Sequence, residues 1–268
     1  MLFKAIPKTI LLFCLISVLL PVVILLIWSF ADNWPWPALL PAAFSFRALH
    51  ELFGGYSGAL QVLFSSIFIS VAVALASLLI SIPAARAVAL YDFHGKNVFK
   101  FIILLPVIVP ATAFAMGIQV LFIRLGLSDT VFGVIIAQTI LCLPYTMKIM
   151  ADVTEAAGNK LESQARVLGA SPLQTFRHIT LPLMMPGIIA AGSMAYIVSF
   201  SQYFLTFLIG GGNVITFSML MFPYIQSGDR TIASAYSVLF IVSSLLVFVL
   251  FEKMLKKYYR LNDIYFFS

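Results

Sequence analysis

Charge is what this 268-residue chain most lacks. Asp, Glu, Lys and Arg make up 10% of it, against about a quarter of a soluble domain, while 62% is hydrophobic and the mean hydropathy is +1.07. So few polar side chains cannot cover a globular surface in water, which excludes the soluble classes and indicates a membrane protein. Cysteine is nearly absent. Cys14 and Cys142 lie inside apolar runs with no CxxC between them, which excludes a disulfide framework and a thiolate metal site and leaves two buried thiols. Three histidines, His50, His94 and His178, are too scattered to share one metal. There is no GxxxxGK[ST] phosphate loop, and Gly210-Gly211-Gly212 is not followed by Lys-Ser, so the chain by itself is no nucleotide hydrolase. No charged residue falls in the middle of an apolar run, which weakens a proton-coupled secondary carrier, where intramembrane carboxylates relay ions.

The charges that are present mark the spans. Uncharged windows of 23, 34, 23, 18, 51 and 21 residues separate Lys8 from Asp32, Glu51 from Arg86, Lys100 from Arg124, Asp129 from Lys148, Arg177 from Asp229 and Arg230 from Glu252. Roughly 20 apolar residues cross a bilayer, so six helices are expected, near 9–30, 60–83, 101–123, 131–150, 186–208 and 231–251. In the longest window, "GGGNVITFSMLMFPYIQSGD" is punctuated by glycine and proline and reads as an external loop with an apolar, membrane-dipping piece. The first apolar run exceeds a signal-peptide core, and "WSFADNWPWP", with interfacial tryptophans, follows it instead of a small-residue cleavage site, so it reads as a retained helix. With both termini cytoplasmic, 13 of the 16 basic residues fall inside, and only Arg47, Arg124 and Arg230 outside, a strong positive-inside bias. The net charge of +6 then reflects topology rather than nucleic-acid binding. The expected fold is an all-α integral membrane protein of six helices. Its parts are a first helix with an external loop over 1–56, a core over 57–251, and a tail over 252–268 whose cations and aromatics suit the anionic inner surface.

One segment, about 151–185, interrupts the apolar chain on the cytoplasmic side. "TEAAGNKLESQARVLG" is rich in helix formers, with Thr154 as a candidate cap. "SPLQTFRHI" reads as a second short helix with Ser171 at the N-cap and Pro172 in the first position. Gly169 stands between them, where a helix end commonly takes a left-handed residue, and Leu181-Pro182 leads back to the membrane.

This segment resembles the cytoplasmic loop of permease subunits of bacterial ABC importers, written roughly EAA, Gly, nine residues, then I-x-L-P. Here Gly169 is followed at that distance by Ile179, Leu181 and Pro182. Glu155-Ala156-Ala157 ends too early, and the matching register is Glu162-Ser163-Gln164-Ala165. Ser163 and Gln164 depart from the usual acidic and alanine residues, and Val167 from a frequent aspartate. The short loop "ALYDFHGKNVFK" is similar to one that follows the family's second span. The resemblance implies a type I importer transmembrane domain whose coupling loop docks on a separate ATP-hydrolysing subunit. It assigns close approach to Ala165, Gly169 and Ala170, apolar anchoring to Leu173 and Phe176, and charge pairing to Glu162, Arg166 and Arg177, with Ser171 and Pro172 shaping the second helix. It implies two ATP-binding subunits that hold ATP and Mg, no cofactor in this chain, a second permease chain (another or an identical one) and an external solute-binding protein.

In the fifth span Tyr196, Ser199, Gln202, Tyr203 and Thr206 fall on one helical face with Gly192, a candidate translocation path to which Gln138 of the fourth span could add. A packing face would show the same residue types. Pro106 and Pro110 of the third span are a weaker candidate for the path, with a simple helix kink as the alternative reading. "WSFADNWPWPALLPAAFSFRAL" and "SFSQYFLTFLIGGG" resemble permeases of the polyamine, ferric iron, thiamine and phosphonate branch. That resemblance favours a polyamine or an aminophosphonate over ferric iron or thiamine. A permease-like regulatory or assembly subunit that does not itself transport is the alternative of another class, ahead of the proton-coupled carrier.

Overall fold

The computed structural model describes residues 2–34, 38, 40–54 and 58–266, with side chains over 11, 13–32, 34, 38, 40–54 and 58–254. Trp36 and the tail cations Lys256, Lys257 and Arg260 are therefore outside the described side chains. Helices dominate: α1 Leu2–Trp28, α2 Arg47–Phe53, α3 Ala59–Leu90, α4 Lys96–Ile108, α5 Ala111–Arg124, α6 Val131–Ala157, α7 Lys160–Val167, α8 Pro172–Thr175, α9 Leu181–Phe200, α10 Phe204–Gly210, α11 Phe217–Ser227 and α12 Arg230–Phe266. Short strands β1 (Ala31–Asn33) and β2 (Ala43–Phe44) pair antiparallel, with Ala31 opposite Phe44. Among the described residues, Ala59–Leu90, Val131–Ala157, Pro172–Phe200 and Arg230–Met254 are long and apolar enough to cross a bilayer, and Phe13–Trp28 is a shorter apolar helix.

Two expected spans are broken. Around 101–123, α4 and α5 meet at 105°. Pro110 disfavours helical geometry in the residue before it, and Val109 takes an extended conformation at φ −75°, ψ 134°; Pro106 sits inside α4 without ending it. Around 186–208, α9 stops at Phe200 and α10 begins at Phe204, with no glycine or proline at the break. Local side-chain bonds replace the ladder there. Ser201 Oγ donates to Val198 O at 3.1 Å, and Thr206 Oγ1 donates to Gln202 O at 3.1 Å.

Residues 1–63 and 217–243 form one compact unit, and residues 64–216 and 244–268 the other. In the first, Arg47 bridges Asp229 at 3.1 Å, the Arg230 guanidinium lies 5.5 Å from the Trp28 ring centre, and Trp28 stacks on Trp34. Two of the three basic residues assigned to the outside therefore share one cluster. Tyr236 of α12 stacks between Phe217 and Tyr224 of α11, at 5.4 and 5.2 Å. Cys14 is exposed on α1, contrary to its expected burial; an apolar run in a membrane helix need not be packed on every face.

The second unit is built on the pairing of α6 with α9. A core of Ala85, Val88, Met147, Met150, Met184 and Ala191 joins α3 to that pair. Small residues let the helices approach: a Cβ on Gly187 would lie 2.9 to 3.1 Å from three side-chain carbons of Val153. Cys142 is buried here and its thiol donates to Ala195 O at 3.6 Å.

The proposed orientation can be tested directly. In a chain whose Cys14 and Cys142 are replaced, single cysteines at positions 46 and 215 are expected to react with an impermeant maleimide from outside. Those at 95 and 168 should react only after permeabilisation. All four positions are exposed on the chain, so labelling of 168 from outside reverses the topology.

Candidate functional site

The polar segment 151–185 folds much as its local chemistry dictates. α6 continues to Ala157, past the expected cap: Thr154 is buried inside it, its hydroxyl donating to Met150 O at 2.6 Å. Gly158, at φ +63°, ends α6, and Asn159 precedes α7. Gly169 takes the left-handed conformation expected of it, at φ +88°, and Ala170 N closes the turn on Ala165 O at 3.0 Å. Ser171 then opens α8 with a capping box. Its Oγ accepts from Gln174 N at 3.3 Å, and its own N–H donates to Gln174 Oε1 at 2.9 Å, with Pro172 at the first helical position.

Pro182 does not break the chain here. Pro172–Phe200 is continuously helical, through a π-helical turn at Phe176–Thr180 in which Leu181 N donates to Phe176 O. Pro182 has no N–H for the ordinary ladder, and its ring would crowd the carbonyl four residues back; widening the turn by one residue accommodates both. The second arm of the loop is thus one rod with the membrane helix α9.

The tip presents apolar groups to the surroundings. Val167 and Leu168 are 87% and 88% exposed and Leu173 is 74% exposed, with Phe176 partly covered. Arg166 and Arg177 are exposed and Ala165 and Ala170 half-buried beside Gly169. Three uncovered aliphatic side chains are thus gathered around one turn.

Glu162 behaves differently from its neighbours. It is 7% exposed and turned inward. Its carboxylate accepts from Arg86 Nη1 at 2.8 Å and Nη2 at 2.9 Å, and from Thr180 Oγ1 at 2.7 Å. It is therefore engaged within the chain, a placement that no local reading could supply, since Arg86 is 76 residues away. The Arg86 hydrogen bonds hold its carboxyl below the usual glutamate range against the opposing effect of burial, with Thr180 and the nearby Arg166 assisting. The pair is thus ionised above the ordinary glutamate range, and its contribution is lost only as pH falls through the depressed value.

The expected path residues do not form one stripe, because α9 ends at Phe200, before Gln202, Tyr203 and Thr206. Gln138, Tyr196, Ser199 and Thr206 are buried inside this chain. Gln138 is the hub: its amide N–H donates to Thr206 Oγ1 at 2.7 Å and its amide oxygen accepts from Ser199 Oγ. This trio fastens α10 to α6 and α9, and Gln119 Nε2, donating to Leu208 O at 3.2 Å, fastens it to α5. Tyr196 stacks on Phe200 at 5.5 Å, and its hydroxyl is buried without a partner among the described residues. Gln202 and Tyr203 lie in the break itself, half-buried. Gln202 opens onto a hollow of about 300 Å³ lined also by Pro106, Pro110, Leu141, Tyr145 and Val198. The trio was missed because hydroxyls on a packed face and on a wet face look alike in sequence.

Residues 77–258 match the family model for the binding-protein-dependent transport system inner membrane component. A Salmonella paratyphi A protein named as a 2-aminoethylphosphonate transport system permease, PhnV, is 25% identical over 240 residues, 89% of each chain. The molybdate/tungstate transport system permease protein WtpB of Pyrococcus abyssi is 30% identical over 198 residues, 74% of this chain and 79% of that one. The putrescine transport system permease protein PotI of Escherichia coli K12 is 27% identical over 159 residues, 57% of each. In fold, the chain is similar to a crystal structure of a bacterial ABC transporter involved in the import of the acidic polysaccharide alginate. That match has a TM-score of 0.74 at 21% identity, over 94% of this chain and 96% of the other.

Proposed function

Because the chain belongs to the family of binding-protein-dependent transport system inner membrane components, and is thus a multi-pass permease subunit of a bacterial ABC importer, we propose that it forms, with a second permease chain, the route for a small solute handed over by an external binding protein. Two ATP-binding subunits, holding ATP and Mg, drive it by gripping the loop around Gly169. The carrying observation is that loop: a capped helix–turn–helix inside the family-matching segment that leaves Val167, Leu168 and Leu173 uncovered. An ATPase groove would cover these side chains. Burying each is worth about 1.5–3 kcal/mol.

The solute class we favour is an aminophosphonate or a polyamine, on the wording of two relatives and on the length over which the first aligns. The relative named for molybdate and tungstate makes an oxyanion the rival. Within the chain the route is assigned to the break between α9 and α10, where Gln202 and Tyr203 are half-buried at the end of a tightly packed helix. Neutral donors and acceptors there would let a charged solute pass without trapping it.

Uptake into proteoliposomes holding the complete transporter should require both ATP and the binding protein, and competition among aminoethylphosphonate, putrescine and molybdate identifies the solute. Gln202→Leu is expected to lower uptake about tenfold with the solute affinity of the binding protein unchanged. Normal uptake by that variant removes the break from the route.

A further inference from the structure

We propose that Arg86, Glu162 and Thr180 form a charged clasp that fastens both arms of the coupling loop to the cytoplasmic end of α3, so that displacement of the loop is delivered to α3 instead of being absorbed by the loop. This rests on the docking reading above. The clasp joins three segments distant in sequence: Arg86 from α3, Glu162 from α7 and Thr180 from the π-helical turn leading into α9. The Arg86 and Glu162 side chains are 18% and 9% exposed, and the pairing is two-pronged, the geometry in which a guanidinium and a carboxylate bind most strongly and with fixed orientation. The Arg86 Nη1 also lies 3.9 Å from Met184 Sδ, at the edge of the core shared by α3, α6 and α9.

Its position relative to the glycines gives the clasp its role. Gly158 and Gly169, both at positive φ and both with open space where a Cβ would stand, are the two points at which the loop can flex. Glu162 lies between them. Apart from the clasp and its packing against α8 and the π-helical turn, α7 has no other tie: among the described residues it makes no other ion pair, and no other side-chain hydrogen bond beyond its own first turn. With the clasp, α7 is tied to α3 across the first hinge and to Thr180 across the second. Breaking one partner leaves a buried charge uncompensated, so the joint resists parting more than a surface ion pair would.

The test uses the assembled transporter in proteoliposomes. Glu162→Gln and Arg86→Met are each expected to preserve assembly and ATP hydrolysis while solute moved per ATP falls about tenfold, and the exchanged pair Arg86→Glu with Glu162→Arg should recover part of it. In the otherwise native chain lacking Cys14 and Cys142, spin labels at positions 91 and 161 report the joint itself. Their separation should be unchanged between nucleotide-free and ATP-bound states, and should change once Glu162→Gln is added. Uptake and hydrolysis falling together in proportion to assembly, or a label separation that changes with nucleotide in the native background, overturns the clasp. If the variants fail to assemble, the label separation in the native background decides alone. Gly169→Trp separates the two ideas. Normal transport by it removes the docking reading, whereas uncoupling by Gly169→Trp with full coupling in Glu162→Gln removes only the clasp.

Discussion

Gly169→Trp is expected to abolish solute uptake by the reconstituted transporter, while Gly169→Ala retains most of it. The two substitutions differ in what they ask of this chain and of its partner. Both place a side chain on a residue at φ +88°, a conformation that costs a non-glycine residue about 1–2 kcal/mol. A Cβ there meets nothing within 4 Å, so the chain has room for the alanine methyl and for the root of the larger side chain. Alanine therefore tests backbone strain alone. If the tryptophan variant melts like the alanine variant, any further loss arises outside the chain, from a surface pressed against the turn. Loss of a central docking contact amounts to about 2 kcal/mol or more, so uptake should fall about 30-fold or more beyond the alanine variant while the ATP-binding subunits continue to hydrolyse ATP. Equal uptake by the two variants means that nothing closes on the turn.

Gly187→Leu is expected to destabilise the protein itself. α6 and α9 touch where Gly187 faces Val153, and a Cβ at that point would stand 2.9 to 3.1 Å from all three side-chain carbons of the valine. Valine is restricted about χ1 and cannot turn aside, and both residues are inside helices, so the axes themselves must separate. Overpacking of this kind costs about 1–3 kcal/mol, a fall in melting temperature of roughly 2–4 °C per kcal/mol for a chain of this size, read in detergent by the unfolding of the purified protein. Gly187→Ala should be milder, and Val153→Ala should relieve it by more than the separate effects add up to, because the two side chains meet directly. A Gly187→Leu protein that melts with the parent would show that α6 and α9 do not close on this glycine.

The membrane-protein class, the position along the chain of the polar loop and the conformation of its tip were decided by the sequence by itself. Each depends on interactions a few residues long: apolar runs partition into lipid, Ser171 and Gln174 cap each other, and glycine takes a left-handed turn at Gly169. The break at Val109-Pro110 is of the same kind, since proline acts on its neighbour, although its 105° required the structure. Tertiary structure alone decided the rest. Glu162 reads in sequence as one more exposed charge on a loop and becomes a buried strut only because folding brings Arg86 beside it. Ser199, Thr206 and Gln138 read as a wet face, yet they are buried and satisfy one another, across 61 and 68 residues of chain. α9 ends at Phe200 without glycine or proline, where side-chain bonds to backbone carbonyls displace the ladder. A polar side chain in an apolar helix must find a partner, and its type fixes that need. Whether the partner is water, solute or a residue far along the chain is fixed by which surfaces the packed helices bring together.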